Sequence, residues 1–458
     1  MITLVYPRIE TNINPPLGLG YIAAYLEKNG IEVTIVDFTF EENIESGLSN
    51  LKKHLTSSEL IGVSADTSLI TNALKVGEYV KSVDPSLTIV FGGNHPSILP
   101  EQVLANPSAD YVVIGEGELT LLELVKHVRG DGTKKEDIKG IAYKENGKVH
   151  INEKRPLIEN LDTLPFPARH LFDMERYMSS PVGRAAWALP QPATSIVSTR
   201  GCPFDCTYCS SHFIFGRTIR LRSVENVLQE IKYIKEKYGI RGMMVHDDIF
   251  TLNKEWLSEF CRRMVGDKVD LGWFCSSRVN TVNEKMLKEM KAAGCIGIIY
   301  GIETGNQYVM DKILKKGTTL EHVERAIKMT NDAGISPHGN FMLGSPGETL
   351  EQAEETINFA KKLDLDTTTF FATVPFPGTE MWDECVKAGS VTDDWESYHF
   401  MKGGMVKTRE FDAEKIVRKA YRKFYLRPRY ILSQIGKIRS FKDLKRFKNG
   451  FGVLFGRM

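Results

Sequence analysis

The chain has few cysteines, no long apolar run and almost no net charge, and each shortage closes off a class of protein. Seven cysteines in 458 residues are too few for a disulfide-stapled scaffold. No apolar run nears the roughly 18 residues of a membrane span. The opening Met1-Ile-Thr-Leu-Val-Tyr-Pro7 is too short and too soon broken for a signal peptide. It reads as a first β-strand, and a cytoplasmic protein is expected. A formal charge of +1 with 42% hydrophobic residues excludes a disordered chain, which needs the opposite balance. The fingerprint G-x-G-x-x-G is missing, which argues against a nicotinamide site.

What is present is unevenly placed. From Lys407 onward there are 16 Lys/Arg against 4 Asp/Glu, so the rest carries 43 against 54. A basic tail on an acidic body fits an anionic substrate, a membrane surface, a partner, or packing of the tail on the body itself. Tyr421-Arg-Lys-Phe-Tyr-Leu-Arg-Pro-Arg-Tyr430 and Lys442–Phe455 interleave basic and aromatic residues. They carry no nucleic-acid motif, so no nucleic acid is expected. A substrate cap, a peripheral membrane contact or an amphipathic covering helix remain.

The patterning is α/β throughout. Short β-branched runs at Leu4–Pro7, Val33–Phe38, Leu60–Ala65, Leu87–Phe91 and Tyr111–Ile114 alternate with helical periodicity at Leu19–Asn29, Glu41–Leu55, Ser68–Val83, Ser97–Ala105 and Thr120–Val128. Five such units over residues 1–130 make a doubly wound, Rossmann-like domain. Ligands of such domains lie beyond the carboxyl ends of the strands. Those ends hold Gly18, then Ser64 and Asp66, then Gly92-Gly93-Asn94-His95, then Gly115-Glu116-Gly117. Glycines there let the backbone approach a large ligand. His95 has two readings, a ligand contact or a structural loop histidine. Residues 131–193 read as a linker holding a hairpin with an Asn146-Gly147 turn. Over residues 194–389, six further strand–helix units predict a partial or complete parallel barrel, whose chemistry belongs at the strands' C-terminal ends. Residues 390–458 form a mostly helical basic region.

Three of the seven cysteines follow the first barrel strand, in Thr199-Arg-Gly-Cys202-Pro-Phe-Asp-Cys206-Thr-Tyr-Cys209. Three thiols in eight residues can converge on one metal centre. Structural zinc wants four ligands, commonly as two C-x-x-C pairs; His212 could serve as a fourth, but no second pair exists. Thiolates also hold iron–sulfur clusters, and three on a four-iron cluster leave one iron open. Cys275 and Cys295 lie in or beside strands, where small thiols commonly pack as core.

With this loop the sequence resembles the radical S-adenosylmethionine (radical SAM) enzymes, in which C-x-x-x-C-x-x-C follows the first strand of a parallel barrel. Val245-His-Asp-Asp-Ile-Phe250, Ser276-Ser-Arg278, Gly301-Ile-Glu-Thr-Gly305, Gly339–Gly344 with Pro346-Gly-Glu348, and Pro375-Phe-Pro-Gly-Thr379 agree in order with that family's later motifs. The first domain is similar to the cobalamin-binding domain of one large branch. The likeness runs to about Gly389. It departs at Asp37-Phe-Thr-Phe-Glu-Glu42, where the Asp-x-His-x-x-Gly motif that supplies an axial histidine to cobalt is absent.

The resemblance implies a 4Fe-4S cluster on Cys202, Cys206 and Cys209, SAM on the open iron, and a 5′-deoxyadenosyl radical. It places Tyr208 near adenine, with Asp247, Asp248 and Glu303 among the SAM contacts, Glu303 toward the amino group or ribose. Arg278 is the guanidinium best placed for the SAM carboxylate; Arg217, Arg220 and Arg222 are weaker candidates. Cobalamin, without a protein histidine as lower ligand, is expected at Gly18, Ser64, Asp66, Gly92, Gly93, Asn94, His95, Gly115, Glu116 and Gly117. The leading expectation is methyl transfer, through methylcobalamin, to an unactivated carbon or phosphorus. The rival is a ring-forming, oxidising or rearranging enzyme of the same branch, acting on a tetrapyrrole or lipid. A non-catalytic cobalamin sensor would leave the cysteine loop without a purpose. Methylthiotransferases usually carry cysteines in their first domain, and Met1–Val128 has none. A small-molecule, lipid or tetrapyrrole substrate and a flavodoxin or ferredoxin reductant are the expected partners.

Overall fold

A computed structural model describes residues 1–8, 14–179, 189–392, 394–398 and 410–435. The first sheet has seven strands: β1 (Ile2–Tyr6), β2 (Val33–Asp37), β3 (Leu60–Ser64), β4 (Thr88–Gly92), β5 (Tyr111–Val113), β6 (Ile141–Glu145) and β7 (Lys148–Ile151), in spatial order β2-β1-β3-β4-β5-β6-β7. The first five are parallel. Their side chains are buried on both faces, which is why they read as continuous apolar runs. Strand order reverses between β1 and β3, and a crevice opens at such a switch point.

Two expectations change here. The hairpin read as part of the linker is β6–β7, and it extends the first sheet by pairing antiparallel with β5. The helix expected over Ser97–Ala105 is two short helices, Asn94–Ile98 and Pro100–Ala105. Pro100 forces the break, because its ring keeps Leu99 out of helical geometry (φ −123°, ψ 56°).

The second sheet is wholly parallel: β8 (Ala193–Ile196), β11 (Gly242–Val245), β12 (Gly272–Ser277), β13 (Cys295–Glu303), β14 (Ser336–Leu343) and β15 (Thr367–Ala372), in sequence order. Between β8 and β11 lies a small antiparallel ribbon, β9 (Thr199–Arg200) and β10 (Arg220–Leu221). Five helices cross between the strands. Each starts on a Ser, Thr or Asn, namely Ser223, Asn253, Asn283, Thr319 and Thr349, whose side chain accepts a backbone N–H from the first turn. The sheet is open, with β8 and β15 as edges.

The helix Ala413–Tyr425 covers the β15 edge. Thr368 N–H donates to the Tyr425 hydroxyl (2.9 Å) and Phe370 N–H to the Tyr421 hydroxyl (3.2 Å). Lys419 and Lys423 pair with Glu354. The tail's basic–aromatic pattern up to Tyr430 is therefore packing against the body. Lys442–Phe455 lies outside the described residues. Among the described residues no helix is long and apolar enough to cross a membrane.

Candidate functional site

The cysteine loop leaves the ribbon strand β9 at Gly201. That residue has φ +94°, and a Cβ there would stand 2.3 Å from the Thr218 carbonyl oxygen, so glycine alone fits. Thr207 anchors the loop: its N–H donates to Leu314 O (3.2 Å) and its hydroxyl to Ile313 O (2.7 Å). Cys202, Cys206 and Cys209 are all reduced and partly exposed. Burial raises the Cys202 thiol pKa and pushes Cys209 up to about 11, so these two thiols, when bare, stay protonated at neutral pH. Among the described residues no three His, Cys, Asp or Glu side chains form a ready-made cage for one ion. The loop offers three thiols on one short turn, the donor set for a cluster with one open corner.

Three of the expected SAM residues gather beside the loop. Arg278 lies flat on Phe204, 3.9 Å from the ring centroid, with Nη1 3.7 Å from Cys206 Sγ and Nε donating to Asn280 (3.0 Å). Its Nη2 is buried beside Gly317 without a hydrogen-bond partner, a spare donor on a guanidinium that touches the cluster loop, which suits a carboxylate. Glu303 holds φ +70° at the end of β13, where the pairing with β14 slips by one residue. A non-glycine residue there is strained, and the bulge re-aims its side chain. The carboxylate accepts from Tyr208 (3.3 Å) and from Lys316 Nζ (3.2 Å). Gly301 makes room for it, since a Cβ there would lie 2.3 Å from Glu303 Oε1. Lys316, only 6% exposed, also reaches the Tyr208 hydroxyl (3.0 Å). Sequence reasoning missed Lys316 and Phe204. Lys316 sits in Lys315-Lys316-Gly317, indistinguishable by pattern from surface lysines.

The two aspartates part company. Asp247 is buried and accepts from Ser198 N–H (2.7 Å), Thr199 N–H (3.0 Å) and the Ser198 hydroxyl. It clamps the start of the cysteine-bearing segment, and burial pushes its pKa up to about 6. Asp248 accepts from Ser211 (2.5 Å) on the cysteine loop. For Asp247 the expectation of a SAM contact is corrected to loop support, because its buried carboxylate is taken by Ser198 and Thr199; Asp248 is exposed and within electrostatic reach of Cys202 and Cys209. Their neighbour His246 follows the inward-facing Met244, which packs with Phe274 and Ile299. It lies just past the end of β11 with its side chain solvent-accessible, and the surrounding protein lowers its pKa to about 4. Arg220 and Arg222 are buried in ion pairs with Glu116 and Glu230, and Arg217 pairs at the surface with Asp205, so none of the three points at the site.

The crevice of the first sheet holds a cavity of about 290 Å³. Gly18, Ser64, Asp66, Gly92, Gly93, Asn94, Gly115, Glu116 and Gly117 all line it, with Leu4, Leu19 and Leu121 as an apolar floor. A Cβ on Gly18 or Gly115 would meet nothing within 4 Å, and one on Gly92 only Val113 at 3.7 Å, so these glycines leave the cavity its depth. Its volume takes part of a cobalamin, not the whole. Among the described residues no histidine lines it. His95 is corrected to a structural residue. It is fully buried, bonds Gln102 (2.7 Å) and packs edge-on to Trp395 (4.8 Å), outside the cavity. The carboxylates of Asp66 and Glu116 line the wall but serve the protein: Asp66 caps the turn at Ser68 and Leu69, and Glu116 pairs with Arg200 and Arg220. Val197, Arg200, Ile214 and Phe215 of the second domain close the cavity, so the cysteine loop and the crevice share a wall.

A parallel barrel bearing this loop, faced by a glycine-lined crevice, defines a radical-generating enzyme with a second cofactor site. A model of the radical SAM superfamily matches residues 196–360, and a model of the B12 binding domain matches residues 11–125. The chain is 36% identical over 446 residues to an uncharacterized methyltransferase of Pyrococcus horikoshii, covering 95% of this chain and 94% of that one. It is 30% identical to the anaerobic magnesium-protoporphyrin IX monomethyl ester cyclase of Rubrivivax gelatinosus, over 91% of this chain and 75% of that one. Its fold matches the radical SAM methyltransferase TsrM of Kitasatospora setae, solved with cobalamin and a [4Fe-4S] cluster, at a TM-score of 0.72, 19% identity, and 93% and 89% coverage. The chain belongs to the cobalamin-binding branch of the radical SAM superfamily. It is an enzyme, and its cofactors are a 4Fe-4S cluster, SAM and cobalamin.

Proposed function

We propose that the protein transfers a methyl group from SAM to an unactivated carbon or phosphorus of a small molecule. The observation that carries this reading is the shared wall: Arg200, Ile214 and Phe215 close the crevice cavity and flank the cysteine loop in sequence, so a methyl carrier and a radical source face one cleft. When bound, the cluster supplies an electron to SAM and cobalamin supplies a methyl carrier. Cys202, Cys206 and Cys209 hold the cluster. Arg278 Nη2 takes the SAM carboxylate. Glu303, steadied by Lys316 and Tyr208, takes the amino group or ribose. Gly18, Gly92 and Gly115 admit the corrinoid by leaving space, while Gly93 and Gly117 let the cavity wall pack closely on Ala65 and Ile22. His246, neutral and solvent-accessible just past the end of β11, positions the substrate by a hydrogen bond. A flavodoxin or ferredoxin supplies electrons.

The similarity to a cyclase supports a second reading, ring formation without methyl transfer. One experiment separates the two. Anaerobic holoenzyme, a chemical reductant and SAM carrying a trideuterated methyl group are incubated with a small-molecule extract. Methyl transfer yields S-adenosylhomocysteine and 5′-deoxyadenosine in comparable amounts and a product heavier by the labelled methyl. Cyclisation yields 5′-deoxyadenosine alone, and its appearance without label in any product would refute the proposal.

A further inference from the structure

The cleft between the domains is crossed by a buried ion network that touches both cofactor sites. Glu116 and Glu118 stand where the loop after β5 enters the helix Gly117–Val128, and both line the cavity. Arg200 Nη1 meets Glu116 Oε1 at 2.7 Å, and Arg200 Nη2 meets Glu118 Oε1 at 2.6 Å. Arg220, paired with Arg200 across the β9–β10 ribbon, meets Glu116 Oε2 at 2.8 Å. All four residues are at most 8% exposed. The Arg200 guanidinium also lies against the rings of Tyr21 (5.2 Å) and Phe215 (5.5 Å), which line the same cavity.

Arg200 is two residues from Cys202. The intervening Gly201 packs against the Thr218 carbonyl, which takes the space a Cβ would need. Cys202 N–H is tied to Gly216 O (3.3 Å), and Arg220 Nη2 donates to Phe215 O (2.9 Å) in the same turn. A displacement of the cavity wall therefore reaches the first cysteine through fixed geometry. The molecule holds a contrasting case. Arg169, Glu230 and Arg222 form an equally buried cluster that reaches the cavity only through the Tyr21 hydroxyl and Val197 O and includes no residue next to a cluster cysteine.

We propose that Arg200 is a positioning residue that couples the two cofactor sites, so that cobalamin in the cavity sets the geometry of the cluster loop. The inference rests on cobalamin occupying the cavity, not on methyl transfer. Coupling of this kind is reciprocal: if cobalamin orders the loop for SAM, SAM must tighten cobalamin by the same factor.

The test uses anaerobic, cluster-reconstituted full-length protein, with hydroxocobalamin and SAM as probes. Two quantities are read with and without hydroxocobalamin, the SAM dissociation constant and the electron paramagnetic resonance spectrum of the reduced cluster. In the wild type, hydroxocobalamin is expected to tighten SAM about tenfold and to shift the spectrum. Glu118→Gln keeps size and a hydrogen-bonding oxygen but loses the charge. It should retain iron and sulfide while the cobalamin effect on SAM shrinks to about twofold or less. Arg200→Met should behave likewise, and Arg200→Lys should restore part of the coupling, which a filler of space would not do. If Arg200→Met does not fold, Glu118→Gln and Arg200→Lys carry the comparison. A wild type whose SAM affinity and spectrum ignore hydroxocobalamin overturns the proposal, as does unchanged coupling in Glu118→Gln. A wild type that loads the cluster but takes up no cobalamin also overturns it, and separately removes the cavity's assignment.

Discussion

The two sites that share the cleft are made of opposite materials. The crevice of the first domain is glycine and aliphatic side chain, and its acidic groups are tied into the protein: Asp66 caps a turn, Glu116 and Glu118 pair with arginines. The barrel mouth is sulfur and charge, with Arg278, Glu303, Lys316 and Tyr208 packed around three thiols. Open shape serves a large, rigid ligand, which gains by displacing water over a wide area. A small zwitterion such as SAM has little area to bury and must be held by placed donors and acceptors. The comparison teaches that the same topological position, the carboxyl ends of parallel strands, is turned to either task by what the loops carry.

Substitutions at the two sites should fail in different ways. The largest effect is expected from Cys202→Ala, Cys206→Ala or Cys209→Ala. Loss of one of three ligands should drop iron from about four per chain to well below that and abolish SAM cleavage, with cobalamin binding retained; iron analysis and corrinoid absorbance read both. Gly92→Leu should do the reverse. Its Cβ has room, with Val113 the nearest side chain at 3.7 Å, so the fold survives while the side chain fills the cavity. Hydroxocobalamin affinity should fall by roughly 100-fold with iron unchanged. Loss of iron in Gly92→Leu would mean that the sites cannot be separated this way. Lys316→Met should weaken SAM by about tenfold, since the nearly buried Glu303 loses its counter-charge, and leave cobalamin affinity within about twofold.

The contrast also bears on what the sequence discloses. The cysteine spacing and the glycines at strand ends are legible because each is a requirement on residue type: only thiols bind iron this way, and only glycine tolerates Gly201 or leaves Gly92 open. Alternation of strand and helix gives both sheets for the same reason. Side-chain direction is not legible. Asp247 and Asp248 are adjacent at a strand end, and neither number nor neighbour says that Asp247 turns back to Ser198 and Thr199. His95 follows two glycines in a loop that does line the cavity, yet its ring turns away to Gln102 and Trp395. Lys316 and Glu303 are 13 residues apart, and only the β13 bulge and the following turn bring them together. The ion network of Arg200, Arg220, Glu116 and Glu118 spans more than 80 residues of chain, a distance over which no local pattern operates.

A smaller effect separates the domains by pH. His338, on β14, is buried and bonded to Thr367 (2.7 Å), Asn340 (2.9 Å) and Thr369 (3.0 Å), and burial pushes its pKa down to about 4. An unfolded histidine titrates near 6.5. Between these values the unfolded chain binds the proton and the folded one does not. Stability is therefore full above about pH 6.5 and is lost as pH falls toward 4. From pH 6.5 to 5 the loss should be about 1.5 kcal/mol, and His338→Gln should flatten that slope in thermal melts. An unchanged slope would place the acid sensitivity elsewhere, with His246 next in line.

The smallest expected effect falls on the barrel's open edge. Among the described residues β15 has no strand beyond it, so its outward N–H groups need other partners. The tail helix supplies them through two phenol hydroxyls one turn apart, Tyr421 to Phe370 and Tyr425 to Thr368. The Tyr425 hydroxyl also donates to Thr368 O (2.7 Å), closing both backbone groups of one residue as a neighbouring strand would. Tyr425→Phe removes that hydroxyl and keeps the ring among Phe424, Tyr421 and Tyr430. It should cost about 1 kcal/mol in thermal or denaturant unfolding. It should also speed amide exchange at Thr368, with iron and cobalamin content unaltered. Tyr425→Ala should cost about 3 kcal/mol, because it also opens the packing. If the two substitutions cost the same, the hydroxyl and not the ring would be what holds the tail, and the basic–aromatic pattern would be an edge-capping device rather than a core.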